Sequence, residues 1–342
     1  VIDTVTWQPM TADFSAFNNA RLKDVRIFGP NATVAQDLEP EYIATSHDSK
    51  TAWVALQENN ALAIVDIRSA TVTGLVGLGC KDHSIDGNGL DASNKDDAIN
   101  IATWPVCGLY MPDAITAYRS RGTTWLVTAN EGDGRDYDTY TDEGRIGDAK
   151  LDPQIFEDAN ELQLDENLGR LKFVTTEGDT NGDGKYEELY SFGARSFTVW
   201  DTAGNIVFDS GDEFEQVTAD RIPADFNSTN DENDSFDNRS DDKGPEPEGV
   251  VIGKVRGQSY AFVGLERVGG IMIYNVTDPT NARFVDYVNN RDFSEEDATQ
   301  AGDLGPEGLL FIKADESPNG KPMLVVGNEV SGTTTLFEVV SE

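Results

Sequence analysis

The segment DTNGDGKYEEL, residues 179–189, concentrates the side chains best suited to holding a metal ion. Asp179, Asn181 and Asp183 alternate as oxygen donors, Gly184 permits a tight turn, and Lys185 offers its main-chain carbonyl. That order matches the first half of an EF-hand loop, where such oxygens surround calcium. The second half departs from it: Tyr190 stands where a bidentate glutamate would close the shell, leaving Glu187 or Glu188 to complete it. Strand-like EELYSFG follows, with no helix, so the loop is expected to join two strands and to stabilise rather than sense. A plain Asp/Gly turn is the alternative.

A second pattern recurs along the chain. An acid opens a short apolar run, and another acid closes the run after it: Glu41 and Glu58, Asp113 and Glu131, Glu248 and Glu266, Glu307 and Glu329. The interval within each pair changes only with the loop between the runs, so the pattern is a structural repeat. Acids placed in this way converge on one mouth if the runs line a common axis. A ring of carboxylates stays ionised only beside cations, and calcium, with six to eight oxygen ligands in adaptable geometry, suits it. The competing reading is that these acids accept hydrogen bonds from neighbouring backbone amides and fix the register between units. Arg195 in FGARSF and Arg267 in LERVGG fall near the same mouth, where they can pair with the acids or grip an anion. Catalytic candidates are sparse. His47 sits in a hairpin turn, His83 lies among Lys81, Asp82 and Asp86, and GxSxG, HExxH and P-loop motifs are missing.

The elements that must position these acids read as strands. TAWVAL, ALAIVDI, TTWLVTA, SFTVWD, YAFVGL, IMIYNV and MLVVGN are rich in β-branched and aromatic residues and are bounded by turn formers. The predicted fold is therefore all-β: a single β-propeller domain over residues 1–342, with four-stranded blades beginning near residues 40, 112, 169, 247 and 306. Long polar insertions interrupt it at 80–107, 132–168 and 220–245, and the latter two are expected to be acidic surface loops. The opening TVTW is expected to add an outer strand to the last blade and close the ring; otherwise further blades belong to another segment.

Acidic residues number 62 against 26 basic, a net charge of -36. Nucleic-acid binding needs a basic footprint and is excluded as a function class. The charge instead fits a solvated acidic surface with clustered cation sites. No apolar stretch is long enough for a membrane helix, and VIDTVTWQPM does not have the form of a signal peptide. Cys80 and Cys107 bracket a polar loop, and a disulfide closing it in an oxidising compartment is worth about 3 kcal/mol; two free thiols are the alternative. Sequons at Asn31, Asn227, Asn233, Asn238 and Asn275 matter only in a host that glycosylates.

DVRIFGPNATVAQDLEPEYIA, KDHSIDGNGLDAS, PDAITAY, TANEGDGRDYD, GDTNGDGKYEELYSFGARSF, PEPEGVVIG, FVGLERVGGIMIYNVTDP, AGDLGPEGL and GNEVSGTTTLFEV together resemble the choice-of-anchor I family. These are secreted or surface-attached propeller proteins related to mesenchyme-specific cell-surface glycoproteins. Asp24 departs from a family glycine, and the two cysteines are not a general family feature. The resemblance implies an extracellular or cell-surface location, additional blades ahead of this segment, and matrix or surface partners. It also raises an enzymatic alternative, because some relatives carry alkaline-phosphatase labels and the Pro-Glu-Gly strands look like those of calcium-dependent propeller phytases. The function expected is a calcium-loaded binding or structural module, with a calcium-dependent phosphoesterase as the alternative.

Overall fold

The computed structural model describes residues 1–340. Its elements are overwhelmingly strands, arranged in mostly antiparallel sheets, and the fold is all-β. The first four-stranded sheet runs in chain order through Ile43–Thr45, Thr51–Leu56, Ala61–Asp66 and Thr71–Gly77. A second pairs Ile115–Ser120 with Thr123–Asn130, then adds Ser196–Trp200 and Ile206–Asp209. A third runs through Pro247–Val255, Gln258–Leu265, Ile271–Asn275 and Arg283–Val288, and a three-stranded sheet follows at Pro306–Ile312, Met323–Asn328 and Thr333–Glu338. The leading strands of these sheets are neighbours in turn: Ile43–Thr45 beside Ile115–Ser120, the latter beside Pro247–Val255, and that beside Pro306–Ile312.

Apolar cores lie between successive sheets, because each sheet presents aromatic and branched side chains on both faces. Trp53, Leu62, Ile115, Leu126 and Trp200 fill the space between the first and second. Tyr118, Phe197, Val199, Val250, Val263 and Tyr274 fill that between the second and third, and Phe262, Ile271, Leu324 and Val326 that between the third and fourth. Trp200 is fully buried, and its indole N–H donates to Thr128 Oγ1 at 2.8 Å, so the polar tip of the largest core side chain is satisfied.

Three expectations need correction. The unit expected near residue 169 does not stand alone, since Ser196–Trp200 pairs along Thr123–Asn130 and completes the sheet begun at Ile115. TVTW does not extend the last sheet: Asp3 Oδ1 accepts from the Val5 and Thr6 amides, which bends the segment into a turn, and Ile2 bridges to Pro9. The insertions are not loose surface loops. Residues 80–107 and 132–168 share one core, built from Leu90, Val106, Ile146, Phe156, Leu162 and others, so two segments too polar to fold alone do so against each other. Within 220–245, Asn227, Ser228, Asn230, Asn233, Asp237, Ser240, Asp241, Asp242 and Lys243 are all buried. Cys80 and Cys107 are joined in a disulfide between two paired short strands. Among the described residues, no helix is long and apolar enough to cross a membrane.

Candidate functional site

The Pro-acid motif has a local cause. In the third sheet the register shifts between Pro247 and Val250, and in the fourth between Pro306 and Gly308. Each Pro-Glu-Gly is thus a β-bulge, which re-aims the glutamate out of the alternating pleat. Gly249 serves the same end, because a Cβ there would collide with the Glu307 carbonyl of the next leading strand. The second acid of each pair follows the end of the facing strand, at Leu56, Asn130, Leu265 or Asn328, so each pair marks one end of its hairpin.

The structure brings most of these acids within electrostatic reach of one another. Burial first, and then Glu131, Glu41, Glu307 and Glu58, push the Asp113 carboxyl up to about 8. Burial, followed by Glu131, Glu266, Asp113 and Glu307, raises Glu248 to about 10. Glu58 is raised to about 7 by burial and by Glu39, Glu41 and Asp133. Burial and the neighbours Glu39 and Asp133 also raise Glu41. Buried oxygens on Glu58 and Glu248 have no hydrogen-bond partner. Glu307 is exposed at the rim, and Glu329 is exposed with its backbone amide bonded to the Gly305 carbonyl.

Beneath these acids lies a compensated layer. Glu131, Glu246 and Glu266 bring carboxylate oxygens within 4.8 Å of one another, all buried. Lys243 Nζ lies 3.1 Å from Glu131 and 3.3 Å from Glu246, and Arg267 Nε lies 3.0 Å from Glu246 and 3.1 Å from Glu266. Arg239 adds a further pair to Glu246 at 2.6 Å. Burial alone would raise Glu246, yet Lys243, Arg239 and Arg267 hold its carboxyl at about 2. Glu266 stays high, at about 8, through burial and the adjacent Glu246. Gln57 Nε2 and Asn230 Nδ2 donate to Glu131 and Glu266 at 2.8 and 2.9 Å. Gly132 and Gly193, both in left-handed conformations, pass so closely that a Cβ on Gly132 would strike the Gly193 backbone and one on Gly193 the Glu131 carbonyl.

Arg267 is therefore engaged by acids. Arg195 lies in a different buried network, donating to Glu215 Oε1 at 2.6 Å and to the carbonyls of Asp91, Ser240 and Asp242 at 2.7, 2.7 and 3.0 Å. Each guanidinium is thus paired with at least one carboxylate. His83 is buried, and burial with the nearby Lys81 lowers it to about 3, so it is a neutral packing residue whose Nδ1 lies 2.6 Å from the Asn88 carbonyl.

The 179–189 loop is the opposite kind of site. Asp179 Oδ1 accepts from the Gly182 amide at 2.8 Å and Oδ2 from Gly184 at 3.0 Å, while Asp183 Oδ1 accepts from Lys185 at 3.0 Å. Glu187 folds back to accept from Thr180 N at 2.8 Å and Asn181 Nδ2 at 2.7 Å. Glu188 points elsewhere, accepting from the Tyr190 hydroxyl at 2.6 Å. Asp152, Asp183 and Glu187 place carboxylate oxygens within 4.8 Å of one another, with Lys185 Nζ 3.3 Å from Asp183.

Sequence reasoning missed Glu246, Lys243, Arg239 and Asp152. The first three carried a readable signal: a lysine and an arginine inside an acidic stretch, directly before a Pro-Glu-Gly, are natural counter-ions in a chain this short of basic residues. Asp152 carried none, since only the folding of the 132–168 segment brings it to the loop.

Comparison with known proteins gives a consistent picture. A family model for the choice-of-anchor I domain matches residues 2–279. Gigasin-3a of Magallana gigas is 35% identical over 191 residues, covering 52% of this chain and 66% of that protein. A mesenchyme-specific cell surface glycoprotein of Strongylocentrotus purpuratus is 29% identical over 287 residues, covering 72% of this chain and 36% of that protein. A solved structure of a functionally unknown protein from Desulfotomaculum acetoxidans covers 91% of this chain and 59% of its own, at 11% identity and a TM-score of 0.33, too slight a likeness to carry an argument.

Proposed function

Since the chain belongs to the choice-of-anchor I family, we propose that it is a calcium-binding β-propeller module that acts by binding or by building structure outside the cell. The protein is extracellular or surface-located, as its family and the cell surface glycoprotein it matches indicate. The four sheets are blades in this reading, their leading strands side by side around the axis. Further blades from another segment, and surface or matrix molecules, are the partners it would take.

The observation that carries calcium is the convergence of Asp152, Asp183 and Glu187. Only oxygen donors meet there, a hard and flexible set of the kind calcium prefers. Asp179 shapes the turn through the amides it accepts, and Asn181, whose Nδ2 already meets Glu187, and the Lys185 carbonyl are the further oxygen donors the loop would offer once an ion displaces the Lys185 ammonium. Ion binding to the folded form alone raises its stability by mass action. Chelation should lower the melting temperature of the wild-type chain, and Asp183→Ala should remove most of that response; an equal response in both would refute the assignment.

One observation favours calcium-dependent phosphoester hydrolysis as a second reading. Burial and the surrounding acids push the Asp113 and Glu248 carboxyls up, so whichever of them does not hold calcium favours the protonated form that a leaving-group donor needs. Phosphate release by the wild-type chain that is calcium-dependent, and lost in Glu248→Gln at unchanged melting temperature, would establish it. No release from simple phosphate esters would dismiss it.

A further inference from the structure

The fourth sheet stops one strand short of the other three. In the first three, the second and third strands pair in unbroken register. A bulge then separates the third strand from the fourth, between Ile64 and Val65, Val199 and Trp200, and Ile273 and Tyr274. Thr333–Glu338 pairs with Met323–Asn328 over its whole length without a bulge, so it holds the place of a third strand. Among the described residues, no strand pairs along its outer edge. That edge also lacks the devices that keep outer strands from pairing: TTTLFE has no proline, no lysine and no bulge, and most of its residues favour strands.

Beside the same edge lies a groove of about 620 Å³, walled by Ile273, Val285 and Val288 of the third sheet and by Phe337 of the fourth. Ile271 and Leu324 belong both to its wall and to the core between these sheets, so groove and core are continuous. One interval earlier, fourth strands fill the corresponding space: Val207 and Phe208 of the second sheet, with Phe284 and Tyr287 of the third, join the core between those sheets. Val285 and Val288, on the groove side, meet no such neighbour and stay 49% and 38% exposed.

We propose that the outer edge of Thr333–Glu338 docks an extended strand of the further segment named above as a partner, antiparallel to it, with alternate apolar side chains entering the groove over Ile273, Val285 and Val288. A small apolar molecule would fill the groove but leave the backbone groups of the edge unpaired. A second copy of this chain would bring another net charge of -36 to an edge flanked by Asp286 and Glu338. A separate strand satisfies backbone and groove together, the mode of recognition in which main-chain bonds give affinity and alternate side chains give specificity. The proposal rests on the binding-module reading for the existence of that segment and is independent of calcium.

The test appends a copy of residues 281–290, which include the fourth strand of the third sheet, to the end of the chain through a flexible Gly/Ser linker, at an effective concentration of millimolar order. Hydrogen exchange of the Thr333–Glu338 amides is then read in the chelated protein. The amides of the free edge should exchange roughly tenfold or more slowly in the fusion than in the unfused chain. Replacing the phenylalanine and tyrosine of the appended copy by serine, or introducing Val285→Asp in the groove, should restore the faster exchange. No slowing in the fusion, or equal slowing with the serine copy, overturns the proposal. Protection in the unfused chain that grows with protein concentration assigns the edge to a second copy and overturns it as well, as does an apolar dye that occupies the groove and is not displaced by the fused strand. Because calcium is absent from the measurement, failure here leaves the loop assignment to its own chelation test, and failure there leaves this result readable.

Discussion

The 179–189 loop and the acid cluster at the sheet ends are made from the same residue types and solve the same problem in opposite ways. The loop is exposed, and its carboxylates are held by backbone amides only a few residues away, so local sequence suffices to build it. The cluster is buried, and its inner layer is held by Lys243, Arg239 and Arg267, the first two delivered by a segment that adjoins Glu246 in sequence but lies far along the chain from Glu131. An exposed carboxylate has water as a fallback, whereas a buried one depends on each partner being present.

The largest expected effect comes from removing a partner. Lys243→Ala leaves Glu131 and Glu246 facing each other in the interior, and breaking a buried pair this way typically costs about 3–5 kcal/mol. Urea unfolding of the chelated protein reads this directly, and a loss below about 1 kcal/mol would erase the contrast between the regions. The pH response is next. Glu58, Asp113, Glu266 and Glu248 have raised values in the folded chain, so the folded state binds more protons than the unfolded one above pH 4–5, and the metal-free protein should lose stability as pH rises. Glu246 has the opposite sign: its contribution is present above its unfolded value and is lost as pH falls toward about 2. The metal-free protein should thus be most stable near pH 5 and weaker at pH 8 by on the order of one to a few kcal/mol. A flat profile between those values would count against burial of the outer acids.

Smaller effects sharpen the comparison. Glu248→Gln should be neutral or slightly stabilising in the chelated protein at pH 8, because a neutral amide replaces a carboxyl whose charge the site resists. A loss of more than about 1 kcal/mol there would restore the reading of these acids as register-fixing acceptors. In the loop, Asp183→Ala without calcium should change stability by less than about 1 kcal/mol, since its contacts are exposed and local.

The same contrast explains what could be read in advance. Strand identity was legible because β-branched and aromatic runs between turn formers carry their own signal, as at TAWVAL and YAFVGL, which form strands at Thr51–Leu56 and Gln258–Leu265. Pairing across long distances was not, and Ser196–Trp200 joins a partner strand that ends before a long excursion of chain. The calcium-like loop could be named residue by residue because its bonds span only a few positions, and even there the choice between Glu187 and Glu188 depended on which way each side chain turns. The buried sequons show the reverse error of a purely local motif: Asn227 and Asn233 are inside, engaged in hydrogen bonds, and present no acceptor nitrogen to a glycosylating enzyme.

The sheet that starts at Ile115 has a consequence for how the protein is made. Thr123–Asn130 obtains its second neighbour only when Ser196–Trp200 has been synthesised. At about 5–20 residues per second, translation leaves that strand edge waiting on the order of several seconds. During that interval an apolar, hydrogen-bond-hungry ribbon is open to wrong pairing. The intervening chain, with its own core around Leu90, Ile146 and Phe156, can fold in the meantime and bring Ser196 within reach of its place beside Asn130. Folding order, not only final packing, is thus written into the long excursion between the two halves of this sheet.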